Sequence, residues 1–259
     1  MEDSMGSDQR IICVTGATSG IGRATALRFL KEGWKVIAAG RRRERLEELA
    51  VEGGDRLFPL QLDVSDRAAV AKAFASLPDA FMPIDVLVNN AGGALGQDKA
   101  MDASIDDWET MVNVNIMGVL YCTKVVVGDM AKRGVGHIVN IGSVAGSTAY
   151  AGANVYGASK AFVSQFSRNL RCDLHGTNVR VTNIEPGLLE SEFSMVRLKG
   201  DKDKAEAVYS GTEPLVPEDL ADLIHYVVNV PRHVNIGRVY ITPVCQSEQG
   251  NQIYRGPGR

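Results

Sequence analysis

The alternation of short apolar runs with longer amphipathic stretches constrains this chain more than any other feature of its sequence. The apolar runs have the length and composition of strands buried on both faces, and stretches with helical periodicity lie between them. Because strands that alternate with helices connect by right-handed crossovers, the pattern predicts an α/β fold with a parallel sheet of seven strands. The predicted strands are Ile11–Thr15, Lys35–Ala39, Leu57–Leu60, Asp85–Val88, His137–Ile141, Val179–Ile184 and Val239–Thr242, and the predicted helices are Gly20–Glu32, Glu44–Val51, Ala68–Leu77, Asp106–Lys132, Val155–Leu174 and Pro217–Val228.

A glycine-rich turn joins the first predicted strand to the first helix. The segment Thr15-Gly16-Ala17-Thr18-Ser19-Gly20-Ile21-Gly22 lacks a Cβ atom at three positions. Backbone N–H groups can therefore approach a pyrophosphate at the positive end of the helix dipole. The Gly-x-x-x-Gly-x-Gly spacing differs from the commoner G-x-G-x-x-G, and a turn that merely needs flexible residues is the alternative. Its place after strand one favours a doubly wound, Rossmann-type sheet that binds a dinucleotide.

The second predicted strand ends in three arginines, in the segment Gly40-Arg41-Arg42-Arg43. NAD-binding proteins of this fold carry an acidic residue here, which binds the ribose 2′-hydroxyl. Guanidinium groups instead suit a 2′-phosphate, because they form charge-assisted and often bidentate hydrogen bonds. We therefore expect NADP(H) as the cofactor, held by Arg41 and Arg42. The alternative, arginines that only solvate a helix start, is better suited to Arg43.

Polar residues with acid/base potential follow the fifth predicted strand. Tyr156 and Lys160 are four residues apart in a predicted helix and therefore share one face. An ammonium group beside a phenol favours the phenolate and lowers its pKa, which prepares the phenol to exchange a proton near neutral pH. Ser143, at the strand end, can hydrogen-bond a substrate oxygen. Asn115 lies within a predicted helix, where an amide fits poorly unless it has a function.

These motifs together resemble the short-chain dehydrogenase/reductase family, although a Tyr-x-x-x-Lys pair alone occurs by chance in many helices. TGxxxGIG, the Asn89–Gly92 NNAG segment, Asn115, Ser143 and Tyr156-x-x-x-Lys160 match its order and spacing over about residues 10–244. The resemblance implies that Tyr156 is the general acid/base and that Ser143 orients the carbonyl. It also implies that Lys160 binds the nicotinamide ribose and lowers the Tyr156 pKa, and that Asn115 holds a water of a proton relay. The expected cofactor-binding residues are Gly16, Ala17, Thr18, Ser19, Gly20, Ile21, Arg41, Arg42, Asp63, Val64, Asn90, Ala91, Gly92, Tyr156, Lys160, Pro186, Gly187, Leu188 and Leu189.

Substrate class follows from a narrower resemblance. Segments such as LVNNAGGALG, YAGANVYGASKAFV and EPGLLESEFSMVRLKGD are similar to a subgroup that acts on serine, allo-threonine and 3-hydroxy acids with NADP, and a related bacterial group reduces sulfoacetaldehyde to isethionate. Both substrate classes are short anions, which need a cation and neutral donors close to the catalytic tyrosine. We expect Arg197, in a polar substrate lid at 187–212, to bind the anion; a solvated arginine on a mobile loop is the alternative. The expected substrate contacts are Ser143, Tyr150, Asn154, Tyr156, Arg197 and Gln246.

Composition limits the partners and the compartment. The 28 Lys+Arg against 31 Asp+Glu residues give a net charge of −3, which argues against nucleic acid and anionic membranes as partners. The four cysteines form no CxxC pair and have no histidine at ligand spacing, so we expect reduced thiols and no metal. The N-terminal segment lacks an apolar signal region, and no apolar run approaches transmembrane length. We therefore expect a cytoplasmic protein.

No linker divides the chain, so we expect a single domain at 10–244, preceded by a disordered tail at 1–9 and followed by an extension at 245–259. The resemblance implies a homotetramer built on the helices Asp106–Lys132 and Val155–Leu174, with the extension near a neighbouring subunit's active site; a disordered end is the alternative. Two other functions stay open. A non-catalytic NADP(H) sensor would not need Ser143, Tyr156 and Lys160 together. An epimerase or dehydratase usually carries a longer C-terminal substrate domain.

Overall fold

The structure, a computed structural model, describes residues 10–248 and 252–256. One parallel sheet of seven strands runs through it in the order β3-β2-β1-β4-β5-β6-β7, which confirms the predicted doubly wound α/β fold. The strands are β1 (Ile11–Thr15), β2 (Lys35–Gly40), β3 (Leu57–Gln61), β4 (Val86–Asn89), β5 (Gly136–Ile141), β6 (Val179–Pro186) and β7 (Arg238–Ile241). Strand β1 pairs with both β2 and β4, so the strand order reverses beside it, and ligands of open α/β sheets bind at such a point.

Helices cover both faces of the sheet. They are α1 (Gly20–Lys31), α2 (Arg43–Gly53), α3 (Arg67–Ala75), α4 (Ile105–Val112), α5 (Gly118–Arg133), α6 (Asn154–Asp173), α7 (Phe193–Arg197), α8 (Lys202–Tyr209) and α9 (Pro217–Asn229). On one face, Phe29 of α1 and Leu220 of α9 pack on alternate residues of the central strands. On the other face, Val70 of α3, Cys122 of α5 and Leu170 of α6 pack on the strand residues that point to that side. Burial on both sides explains why β1, β2 and β4 consist almost entirely of apolar residues.

Helices α4 and α5 form one continuous helical stretch, Ile105–Arg133, through a π-helical turn at Asn113–Met117. An 18-residue window within these 29 residues reaches a mean hydropathy of 1.5, so by length and composition alone the stretch could cross a membrane, contrary to the expectation that no apolar run approaches transmembrane length. Polar residues interrupt the apolar runs of this stretch, whereas the average over the 18-residue window stays high. Met111, Cys122 and Met130 bury one side of this stretch in the protein core, and a core helix passes the same two criteria.

The insertion after β6, expected as a polar segment, contains α7 and α8 and is joined to the start of α9 by a bridge between Leu189 and Leu215. The C-terminal extension folds back on its own chain: Gln246 pairs with Ile253, and the Arg255 guanidinium donates to the Val208 carbonyl oxygen at the end of α8 (3.0 Å). The predicted disordered tail at 1–9 lies outside the described residues, as do residues 249–251 and 257–259.

Candidate active site

A cavity of about 450 Å³ opens at the carboxyl ends of the central strands, beside the point where the strand order reverses. Most of the predicted site residues line it, although they come from segments far apart in the sequence. From the predicted set, the lining includes Gly16, Thr18, Ser19, Gly20, Ile21, Arg41, Arg42, Asp63, Val64, Asn90, Ala91, Gly92, Ser143, Tyr150, Tyr156, Lys160, Pro186, Gly187, Leu188, Leu189 and Arg197. The predicted residues that do not line it are Ala17, Asn115, Asn154 and Gln246.

The glycine-rich turn is packed so closely that side chains would not fit. Gly16 has a φ of +67°, and a Cβ atom there would lie 2.9 Å from the Ala91 Cα. A Cβ atom at Gly22 would overlap the Gly16 carbonyl oxygen. Helix α1 begins here with no side-chain hydrogen bond from its N-cap Ser19, so its first N–H groups are left for a ligand. This cradle fits a pyrophosphate. Ala17 contributes by packing instead, with its N–H bonded to the Ala39 carbonyl.

Arg42 is held in place at the mouth of this cradle. Its Nε donates to Thr18 Oγ1 (3.0 Å) and its Nη2 to Ser19 Oγ (2.6 Å), while its Nη1 pairs with Glu192 Oε2 (2.8 Å). Arg45 pairs with the other oxygen of the same carboxylate (2.6 Å). Sequence reasoning missed Arg45 and Glu192; the signal for Arg45 was its place three residues after Arg42 at the start of α2. Two guanidinium groups beside the glycine turn fit a 2′-phosphate.

Two further parts of the wall, at Asp63 and at residues 186–189, also belong to the expected cofactor-binding set. Asp63 accepts hydrogen bonds from the Ser65 backbone N–H (3.0 Å) and hydroxyl (2.7 Å). Burial raises the pKa of Asp63, but these bonds and the charge of Arg41 outweigh it, so the pKa lies below its ordinary value. Asn90 ties the β4 end to β1 by donating to the Thr15 carbonyl (2.9 Å). The Pro186–Leu189 segment forms the opposite wall.

Tyr156, Ser143 and Lys160 meet where β5 and the first turn of α6 approach each other. The Lys160 Nζ donates to the Ile141 carbonyl (2.8 Å) and lies 5.9 Å from the centre of the Tyr156 ring. Burial raises the pKa of Tyr156 to about 12, against the lowering effect of a hydrogen bond with Ser143 and of the Arg197 charge. Burial also lowers the pKa of Lys160 to about 8. The expectation that Lys160 lowers the Tyr156 pKa is therefore corrected. Desolvation has the larger effect and raises this pKa, and the cation that opposes the rise is Arg197.

Asn115 lies in the π-helical turn between α4 and α5, a distortion that often accompanies functional residues. Its Nδ2 donates to the Gly93 carbonyl (2.9 Å) and to Ser159 Oγ (3.0 Å), and its Oδ1 accepts from the Gly93 N–H (2.9 Å). Both amide N–H donors are therefore used within the protein. The amide braces the loop after β4 against α6, behind the cavity wall.

Arg197 of α7 lines the part of the cavity where the sequence predicts the substrate. This guanidinium is 8% exposed and donates to the Tyr150 hydroxyl (3.2 Å) and to the Gly96 (3.3 Å) and Gly152 (3.4 Å) carbonyls. Among the described residues it forms no ion pair. The alternative of a solvated arginine on a mobile loop is thereby contradicted.

Two other predicted substrate contacts lie elsewhere. The Asn154 amide donates to the Asp98 carbonyl (3.1 Å), away from the cavity. Gln246 Oε1 accepts from the Leu188 N–H (2.6 Å), so Gln246 acts on the cavity wall from behind. Neither position could be told from the sequence, because both depend on how loops pack around the lid.

Comparison with known proteins places this geometry in a family. The model of the short chain dehydrogenase family matches residues 10–202. The NADP-dependent 3-hydroxy acid dehydrogenase YdfG of Shigella flexneri is 55% identical over 95% of this chain and 99% of its own length. The serine 3-dehydrogenase of Agrobacterium fabrum is 50% identical over 94% of this chain and 98% of its own. The closed form of a serine dehydrogenase complexed with NADP⁺ superposes with a TM-score of 0.92, at 55% identity over 95% of this chain and 99% of that one.

Proposed function

The chain belongs to the short chain dehydrogenase family, and from that premise we propose that it transfers a hydride between NADP(H) and a short anionic hydroxy acid or its aldehyde or keto form, of the 3-hydroxy acid or serine type. The observation that carries this proposal is a buried guanidinium, Arg197, that forms no ion pair in the described structure and stands beside Tyr156 in the cavity. Relatives at 50–55% identity are named as NADP-dependent 3-hydroxy acid and serine dehydrogenases, which supports the same substrate class.

The protein groups divide the work along the cavity. The N–H groups at the start of α1 would hold the pyrophosphate, and Arg42, with Arg41 and Arg45 beside it, the 2′-phosphate. Bound NADP(H) supplies or accepts the hydride. Tyr156 donates its proton to the carbonyl oxygen during reduction and takes it back during oxidation, while Ser143 holds that oxygen. Lys160 would bind the nicotinamide ribose.

Arg197 determines the substrate class. A guanidinium removed from water is costly unless it is paired, and a substrate carboxylate provides the missing partner. The Tyr150 hydroxyl, already bonded to Arg197, adds a neutral donor for the same anion. A sulfonate carries the same charge, so sulfoacetaldehyde reduction is the second candidate activity.

The substrate class is tested with Arg197→Met, which keeps the bulk of the side chain and removes its charge. We expect kcat/KM for malonate semialdehyde and sulfoacetaldehyde to fall about 10- to 100-fold, the value of one charge-assisted contact. For propionaldehyde, a neutral aldehyde of similar size, we expect little change. The rate of NADPH consumption at saturating coenzyme measures kcat/KM for the anionic and the neutral aldehydes. An equal loss on anionic and neutral aldehydes would show that Arg197 does not bind the anion.

We also propose a homotetramer in the cytoplasm, whose subunits each contain one catalytic domain at about 10–244 with a lid at 187–212. The apolar side chains of Ile105, Val112 and Val125 are exposed on α4 and α5, which supports an interface there. The four cysteines form no disulfide, as a reducing compartment requires. Asn115 is proposed to act in the proton relay through its Oδ1, which accepts from the Gly93 N–H and has a second lone pair that can accept from a water.

A further inference from the structure

Arg197 lies among aromatic rings rather than among carboxylates. Its guanidinium carbon is 5.6 Å from the centre of the Tyr156 ring and 5.7 Å from that of Tyr150. Its N–H groups donate only to neutral acceptors, two carbonyls and one hydroxyl. Its charge therefore acts on neighbouring groups with little screening, because burial removes the water that would otherwise weaken these electrostatic interactions.

The groups that face the Tyr156 phenol are few. Lys160 faces it from the same helix, Tyr150 from the loop before that helix, and Arg197 from α7. Among the described residues the other neighbours are uncharged; they are Ser143, Phe193, Ala94, Met111 and Ala145. Burial lowers the pKa of Lys160 to about 8, so this lysine can lose its charge in mildly alkaline solution. A guanidinium stays charged throughout that range, and Arg197 is therefore the permanent cation beside the phenol.

We propose that Arg197 couples the charge of the substrate to the protonation of Tyr156: unpaired, it stabilises the phenolate, and once it holds a substrate anion it withdraws that stabilisation, so that the phenol keeps its proton. The inference rests on the proposed function, since it needs the substrate anion at Arg197. Physically, a cation within about 4–6 Å favours the charged form of an acid, and an anion bound to that cation cancels most of its field. Arg197 then acts on the reaction through Tyr156, as a positioning residue, in addition to binding the substrate.

The coupling has opposite consequences in the two directions of the reaction. In reduction, the carbonyl carbon receives a hydride with its electron pair, the O–H bond of Tyr156 breaks, and the proton goes to the carbonyl oxygen; the carbonyl is reduced and the coenzyme oxidised. An anionic substrate thus secures the protonated acid that this step needs. In oxidation the phenolate must accept the alcohol proton, and the same pairing disfavours that phenolate. Oxidation of a hydroxy acid should therefore require a higher pH than oxidation of a neutral alcohol.

The test is the pH dependence of oxidation at saturating NADP⁺, with 3-hydroxypropionate and with n-propanol. The kcat/KM profile reports the enzyme before it binds the alcohol, and the kcat profile reports the complex. In the wild-type enzyme with 3-hydroxypropionate, we expect the alkaline-activating pKa to be about one pH unit higher for kcat than for kcat/KM. With n-propanol the two should coincide. In Arg197→Met, the kcat/KM pKa should rise by about one pH unit with either alcohol.

Controls separate this proposal from the function on which it rests. Arg197→Lys keeps a cation and should keep the wild-type kcat/KM pKa, and Arg232→Met removes an exposed arginine elsewhere and should change nothing. If Arg197→Met leaves the kcat/KM pKa at its wild-type value, the coupling is overturned, whereas a selective rise of its KM for 3-hydroxypropionate would still support the anion contact.

Where turnover is too slow for a pH profile, the protonation of Tyr156 can be measured spectroscopically. The phenolate absorbance of Tyr156 is the difference between wild type and Tyr156→Phe, both bound to NADP⁺. Its titration should move to higher pH when propionate is added. An unchanged titration at a propionate concentration that inhibits the enzyme would overturn the coupling.

Discussion

Arg42 and Arg197 stand at opposite ends of one cavity and are held in opposite ways. The Arg42 side chain is 42% exposed, pairs with the Glu192 carboxylate and bonds two hydroxyl groups of the glycine-rich turn. Arg197 is 8% exposed and bonds only neutral groups. One arginine therefore already has an anion and remains in contact with water, whereas the other has neither.

This difference in exposure and partners predicts how each arginine would bind its ligand. An exposed ion pair contributes little to stability, so Arg42 can exchange or share its carboxylate with a phosphate at small cost. A buried guanidinium has lost its hydration and regains a full partner only when an anion enters. We therefore expect Arg42 to exchange its partner for a phosphate readily, and Arg197 to discriminate among substrates by charge.

The largest effect is expected where the two ends meet, at Tyr156. Replacing it with phenylalanine removes the proton donor and should lower kcat about 10²- to 10⁴-fold, while NADPH binding, measured by coenzyme fluorescence, stays near the wild-type value. Tyr150→Phe is the matched control, since it removes a phenol hydroxyl from the same cavity; it should raise KM for anionic substrates and leave kcat close to normal. Turnover that survives in Tyr156→Phe would contradict the assigned proton transfer and favour a different donor.

A smaller effect is expected at the cofactor end. Arg42→Gln should raise KM for NADPH about 10- to 100-fold, because it removes a charge-assisted contact to the 2′-phosphate, and should leave KM for NADH nearly unchanged. Arg43→Gln is the control, since the Arg43 side chain is 71% exposed and pairs with Glu47. A loss of the same size with both coenzymes would mean that Arg42 serves the turn or the lid rather than the phosphate.

The smallest expected effect is on the free energy of unfolding, and it comes from His137, a buried base that, unlike Arg197, can give up its proton. His137 of β5 bonds Thr182 Oγ1 (2.8 Å), and its Nδ1 has no hydrogen-bond partner in the described structure. Burial, helped by the charges of Arg180 and Arg10, lowers its pKa from 6.5 to about 3. Between these values the unfolded chain binds a proton that the folded protein does not.

The free energy of unfolding should therefore fall as the pH drops below 6.5, by about 1.4 kcal/mol per pH unit from this group. In His137→Leu this part of the slope should vanish. Urea unfolding between about pH 6.5 and pH 4.5 measures the slope, and His175→Gln, at an exposed histidine, should keep it. If His137→Leu and wild type share one slope, the folded His137 is already protonated in that range.

Expectation and structure agree best where a feature depends on neighbouring residues. The glycine turn, the arginines that end β2 and the Tyr156–Lys160 pair each lie within a few residues of sequence, and the regular geometry of a strand end or a helix turn brings them to the cavity. Agreement fails for Asn154 and Gln246, because loop packing aims their side chains at Asp98 and Leu188. It also fails for the Tyr156 pKa, which depends on burial that no local pattern reveals.

The order of residues alone predicts the α/β architecture, the dinucleotide turn with arginines suited to a 2′-phosphate, and the shared helix face of Tyr156 and Lys160, since periodicity and short-range spacing encode all of these. Long-range packing sets two further relations: Glu192 reaches Arg42 across 150 residues of chain, and Arg197 is buried beside Tyr156 with no ion pair among the described residues. Those relations arise from the packing of α7 over the strand ends. The effect of a buried charge depends on what surrounds it in three dimensions, which the order of residues along the chain does not reveal.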